Sequence, residues 1–228
     1  MLIVGVLLVL LTLLHPVNQA SLRIAGICGI CLVWLSMLIK CRRKSTPSVI
    51  LLSLPVVLTI YLVIPFRISD HESLRSAYLD ELESLDGTPY IWGGESKLGV
   101  DCSGLPRLAL RQAHCRRFFS TGNPAHARAW FESWWFESSA EALSNSYRGF
   151  TTPVGIEGNL QTIDHSNIKP GDLAITSNGV HLLVYLGEEK WIQADPGPSK
   201  VHIQNPKTDT NGWFRDVSTI HRWRELYR

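Results

Sequence analysis

Cys102 stands between Asp101 and Ser103-Gly104, and Leu105, Leu108, Ala109 and Ala113 follow it at helical spacing. A thiol attacks a carbonyl only as the thiolate, and the unpaired N–H groups and dipole at a helix N-terminus favour that anion. The same N–H groups could receive the oxyanion of a tetrahedral intermediate. A cysteine taken alone is more often a buried structural residue, so the chemistry needs a base and a group to orient it. His181 opens a predicted strand after Asn178-Gly179, and Gln193 lies on the next strand, where its amide oxygen could hold an imidazole in one tautomer. The two share a face only if the Gly187 to Lys190 turn holds an odd number of loop residues or a bulge. His202, also on a predicted strand, is the rival base. His71, His114, His126, His165 and His221 fall on predicted helices or loops, and His15 falls in the apolar N-terminal region.

Ser69 and Glu72 have capping-box spacing, and Leu74, Tyr78, Leu82 and Leu85 follow at helical intervals. Asp86-Gly87-Thr88-Pro89 ends that helix, and Tyr90 to Gly94 reads as a short extended piece. Asp101 is the expected N-cap of a second helix. Pro106, about one turn in, argues that this helix begins close to Cys102, and His114 to Arg117 is its expected end. After the Gly-Asn-Pro turn at 122–124, Ala125 to Leu143 again has helical composition. Trp130, Phe131, Trp134, Trp135 and Phe136 cannot all lie on one stripe, so some must be exposed, cover a cleft or touch a membrane surface, unless they pack in a core. From the turn Lys169 to Asp172 onward the texture is of short antiparallel strands: Leu173 to Ile175, His181 to Leu186, Trp191 to Ala194 and Val201 to Gln204. Helices first and strands last predict an α+β domain over residues 67–228, with an insertion around 114–168.

Residues 1–66 are different material. They hold no Asp or Glu and five basic residues, so the total charge of +2 leaves −3 for the rest. Three apolar runs, Leu2 to Leu14, Ile24 to Ile39 and Val49 to Phe66, predict a membrane region with two to three transmembrane helices. The first run is short for a span, which leaves a re-entrant or cleaved segment open. Lys40, Arg42, Arg43 and Lys44 between the second and third runs read as a cytoplasmic loop, which puts the domain after Phe66 outside. Wedged between apolar runs, that cluster is a topology signal, and no nucleic-acid partner is implied. Five cysteines are too few and too scattered for a disulfide framework; Cys28 and Cys31, though spaced C-x-x-C, are read as packing residues of an apolar run.

Tyr90-Ile91-Trp92-Gly93-Gly94, Asp101-Cys102-Ser103-Gly104, Lys169-Pro170-Gly171-Asp172-Leu173, and His181 with Val184-Tyr185-Leu186-Gly187 occur in that order. Together they resemble the NlpC family of papain-like cell-wall cysteine peptidases over roughly residues 72–205. The resemblance implies helices packed on a small antiparallel sheet, and catalysis by Cys102 and His181 with Gln193 as the orienting residue. It implies substrate contacts from Tyr90, Trp92, Asp101 and Ser103, with no metal or cofactor needed. The implied partner is a peptidoglycan stem peptide, cut between D-glutamate and a diamino acid. The apolar runs and the basic cluster, on which the resemblance is silent, add the lipid bilayer as a partner and predict a protein of the bacterial plasma membrane with an extracytoplasmic catalytic domain. Gln193 (relatives often have His), Pro106 and the long 114–168 stretch depart from the pattern. An acyltransferase or other amidase on the same scaffold, and a non-catalytic module that holds wall peptide, are the alternatives.

Overall fold

The computed structural model describes residues 1–43, 45–136 and 138–227. The domain opens with α4 (His71–Glu83), preceded by three N-terminal helices taken up below. Its cap is Asp70, not Ser69: the Asp70 carboxylate accepts from Ser73 N–H at 2.9 Å. Leu74, Tyr78, Leu82 and Leu85 are all buried, as their spacing demands. A two-strand ribbon, β1 (Glu95–Ser96) and β2 (Gly99–Val100), leads into α5 (Gly104–Thr121). Pro106 is the third residue of α5, within the first turn, where a missing N–H is tolerated. The helix runs past Arg117 to Thr121, longer than its composition suggested, because Cys115 to Thr121 continue the hydrogen-bonded path until Gly122 adopts a left-handed conformation (φ 65°) and closes it. Asn123 caps the next helix, α6 (Pro124–Trp135), and the expected run to Leu143 is broken before α7 (Ala140–Ser144), whose cap is Ser139.

Six antiparallel strands complete the domain: β3 (Thr151–Gly158), β4 (Leu173–Thr176), β5 (Leu182–Gly187), β6 (Lys190–Asp195), β7 (Lys200–Gln204) and β8 (Ser218–Trp223), in the order β3-β8-β4-β5-β6-β7. The four expected strands are present as β4 to β7, and β3 and β8 are additions that composition did not reveal. His221, expected on a helix or loop, lies on β8. The Asp172 carboxylate ties β8 in by accepting from Arg222 Nε and Nη2 at 2.7 and 2.6 Å. Alternate residues face opposite sides of the sheet. Leu173, Ile175, Leu182, Val184, Ile192 and Ala194 pack with α4 and α5 in the main core. Ala174, Leu183, Tyr185, Trp191 and Ile220 pack with Leu160 and Phe214 in a second one.

The N-terminal region forms α1 (Leu2–Leu14), α2 (Ala20–Cys41) and α3 (Ser45–Val63). Helices α2 and α3 are long and apolar enough to cross a membrane, and α1 is shorter. Helix α1 lies along α2, with Thr12 Oγ1 donating to Leu22 O at 3.1 Å. Cys28 and Cys31, expected to pack, are exposed on α2, and Cys41 is half-buried. The α1–α2 connection reaches the domain: Glu95 N–H donates to Pro16 O at 2.8 Å, and Val17 bridges Gly94. Beyond α3, Arg128 on α6 donates to the carbonyls of Leu62 and Ile64 at 2.8 Å and of Phe66 at 2.5 Å. Both attachments are at the end of α2 and α3 opposite the basic residues Lys40, Arg42 and Arg43.

Candidate active site

Asp101 is what places the thiol at the mouth of α5. Its Oδ1 accepts from Gly104 N–H at 2.6 Å and from Ser103 Oγ at 3.1 Å, its Oδ2 accepts from Gly93 N–H at 2.9 Å, and its carbonyl accepts from Leu105 N–H. The loop 93–94 is thereby drawn against the helix start. A Cβ at Gly104 would lie 2.0 Å from Gly94 O, so only glycine allows this approach. Cys102 is buried, and its Sγ points to Val180 O at 3.7 Å. Burial, with the Asp101 charge beside it, pushes the thiol up to about 12, against the pull of the Ser103, Leu182 and Cys102 N–H groups. Cys102 therefore rests as a protonated thiol.

His181 immediately precedes β5, one residue from the carbonyl that the thiol touches. Among the described residues no hydrogen bond joins the thiol and the imidazole. Imidazole Nε2 donates to Gln193 Oε1 at 2.7 Å. A carbonyl oxygen can only accept, so Nε2 carries the proton and Nδ1 keeps the lone pair a base requires. The register places this contact: Val184 faces Ile192, but a shift between Tyr185 and Gly187 interrupts the ladder, and that bulge puts Gln193 on His181's side. Gln193 is fully buried and its own Nε2 donates to Gln204 Oε1 at 2.9 Å. Asn211 Nδ2 donates to the same oxygen at 3.1 Å and to Asp195 Oδ2 at 2.6 Å. Trp213 stacks on the imidazole, centroids 4.1 Å apart and planes at 16°. In this dry setting burial outweighs the Gln193 hydrogen bond and holds His181 down to about 4, so the imidazole rests neutral. His202 is paired with Asp195 at 3.3 Å.

Trp92, Asp101 and Ser103 line the cleft in front of Cys102, together with Ser138, Ala140 and Gly179. Trp92 is 79% exposed at its rim. Tyr90 packs against the main core, and burial, with Cys102 and Asp101 nearby, raises its hydroxyl to about 12, so it stays protonated. Sequence reasoning missed Trp213, whose stretch 211–214 carries only a turn signal, and Glu95. The Glu95 side chain, 2% exposed, pairs with Arg111 and, at 3.3 Å, with Arg107, and accepts from Asn18 Nδ2 at 2.7 Å. These are charges at a helical spacing of four, a pattern usually found on a solvated face.

A family model described as the NlpC/P60 family matches residues 87–221. The chain belongs to the NlpC/P60 family. It is 42% identical over 154 residues to the Escherichia coli (strain K12) protein named Probable endopeptidase NlpC, covering 64% of this chain and 80% of that protein. It is 23% identical over 158 residues to Dipeptidyl-peptidase 6 of Lysinibacillus sphaericus, covering 67% of this chain and 46% of the other. Among solved structures it is similar to the peptidoglycan hydrolase RipB of Mycobacterium tuberculosis, at 19% identity and a TM-score of 0.42, covering 68% of this chain and 67% of that one. The NlpC/P60 match spans Cys102, His181 and Gln193, and it begins after α3, so it leaves the three N-terminal helices outside.

Proposed function

We propose that this NlpC/P60 chain is a membrane-anchored cysteine endopeptidase acting on peptidoglycan stem peptides, with Cys102 as nucleophile, His181 as base and Gln193 as the residue that orients it. The observation that carries this reading is the 2.7 Å bond from His181 Nε2 to Gln193, which leaves Nδ1 as an acceptor one residue from the carbonyl that holds the Cys102 thiol at the start of α5. The thiol proton passes to Nδ1 as sulfur attacks the amide carbonyl. The oxyanion is received by N–H groups at the helix start. The imidazolium then protonates the leaving amine, and water, deprotonated by the same imidazole, releases the acyl group from its thioester. Trp92, Asp101 and Ser103 line the cleft on the side where the free amino end of a peptide would sit, with Tyr90 behind them. The bond we assign is the D-glutamyl–diamino acid linkage of the stem peptide; the name Probable endopeptidase NlpC of the Escherichia coli relative supports peptide-bond cleavage.

The anchor reading rests on α2, whose 22 residues span roughly 33 Å, enough for a bilayer core of about 30 Å, and on α3 beside it. With Lys40, Arg42 and Arg43 on the cytoplasmic side, the domain faces outward from a bacterial plasma membrane. The test is mass spectrometry of defined peptidoglycan fragments incubated with the full chain in detergent, beside Cys102→Ala. The expected result is one cleaved stem bond with the intact chain and none with the variant. Turnover that survives in Cys102→Ala would sink the mechanism, and an intact, folded chain that cuts no stem peptide would sink the substrate.

A further inference from the structure

We propose that the groove between the α1–α2 hairpin and the Trp-rich helix α6 binds the hydrocarbon chain of a lipid-linked form of the peptide substrate, joined to its chain through phosphate. This rests on the peptidase reading above and goes beyond it in naming the form of substrate the molecule selects. The groove measures about 500 Å³, within the range that encloses a small ligand. Leu13, Leu22 and Ile27 of the hairpin form one wall, and Trp130, Phe131 and Trp134 of α6 form the other. Leu13, Ile27 and Phe131 are 68%, 37% and 49% exposed, an apolar surface that water penalises and a hydrocarbon chain relieves. Helix α2, one wall of the groove, is long and apolar enough to cross a membrane, so in the anchor reading above the groove opens at the edge of the bilayer, within reach of a lipid chain.

Two observations select a substrate lipid with a phosphate. Glu95 lines both this groove and the cleft of Cys102, so the two spaces adjoin at that residue, and a molecule that reaches from one to the other has its peptide at the thiol. The polar floor is also cationic. Arg107 and Arg111 share the single Glu95 carboxylate, Arg111 and Lys97 line the groove, and Arg107 lines the cleft, which suits an anion at the junction. The Trp-rich insertion, which the wall-peptide chemistry does not use, thereby gains a role.

The experiment compares one stem peptide, free and as a hexadecyl-phosphate conjugate, with the full chain in nanodiscs. The expected result is a KM at least about tenfold lower for the conjugate. It should be lost in Ile27→Trp, which fills the groove, and in Phe131→Ser, while kcat/KM for the free peptide stays within about twofold. Equal KM values for the two substrates, or a preference retained in both variants, would overturn the proposal and leave the peptidase intact. If neither substrate is cut, the peptidase reading fails, and the groove is judged by photocrosslinking a diazirine-tailed conjugate: capture at α2 and α6 supports it. Equal capture of diazirine phosphatidylglycerol would overturn it, because the groove would then be sealed by bulk lipid.

Discussion

Gln193 is a neutral group in a position that governs a titration. Because it only accepts from Nε2, it orients His181 without holding a charge beside it, and burial then keeps the imidazole down to about 4. Gln193→Leu removes the acceptor, frees the ring and leaves the Gln204 oxygen short of a donor. It is expected to lower kcat by about 10²-fold, less than Cys102→Ala, within the range typical of losing a positioned acid–base group. Gln193→Glu places a carboxylate against the imidazolium and stabilises it. The acid limb of kcat/KM is then expected to move to higher pH than in the parent, and a limb that stays in place would show that His181 is not the titrating group. Trp213, stacked at 4.1 Å, excludes water from the same ring. Trp213→Ala should move the limb in the same direction by relieving desolvation, which a pH–rate profile reads directly.

At the scale of elements, the start of α5 and the loop 93–95 act as one unit. Asp101 joins them by hydrogen bonds to Gly93 and Gly104, and Gly104 admits the Gly94 carbonyl. Gly104→Ala drives a methyl into backbone that cannot yield, so it should lower stability by about 1–3 kcal/mol as overpacking does. It should also slow alkylation of Cys102 relative to the parent chain. Glu95 ties the same loop to α5 and to the hairpin. Glu95→Gln leaves Arg107 and Arg111 buried without their carboxylate, and an expected loss of about 3–5 kcal/mol is measurable by denaturant unfolding. Unchanged stability would mean that another anion or solvent already compensates the two guanidiniums.

For the whole molecule, acid is the condition that tests how the domain is held together. His181 and His126 are both held down to about 4 from about 6.5 by burial, and the His114 ring, its Nδ1 3.1 Å from that of His126, adds to the effect there. A histidine with a depressed folded value binds protons more readily when unfolded. Its contribution is therefore present above about pH 6.5 and is lost as pH falls toward about 4. The thermal midpoint of the full chain in detergent is expected to fall between pH 7 and pH 4.5, and to fall less in His126→Gln. The same scale explains why the N-terminal helices are more than a tether. They touch the domain at Glu95 and Arg128, so the cleft is held at the end of α2 and α3 farthest from their basic loop.

Much of this was legible without coordinates. Helical spacing at 74–85 and 105–113 fixes which faces are buried, since a helix that exposed those leucines would forfeit its core. Alternation in 173–194 does the same for the central strands, and a thiol beside Asp101 at a helix start, a following His and a Gln in the next strand are the residues on which the proposed chemistry rests. The absence of acidic residues before Phe66 sets that region apart. Other features depend on contacts distant in sequence. The strands β3 and β8 have weak local patterns and exist because each completes the other's ladder. The bulge that brings Gln193 to His181 depends on how two strands pair, and residue types alone do not determine it. Trp213 meets the imidazole only after the chain has returned from β7. The Glu95 cluster reads as surface charge until α5, α6 and the hairpin close over it. Local order follows from nearest-neighbour spacing, whereas register and charge burial follow from which distant segments exclude water together.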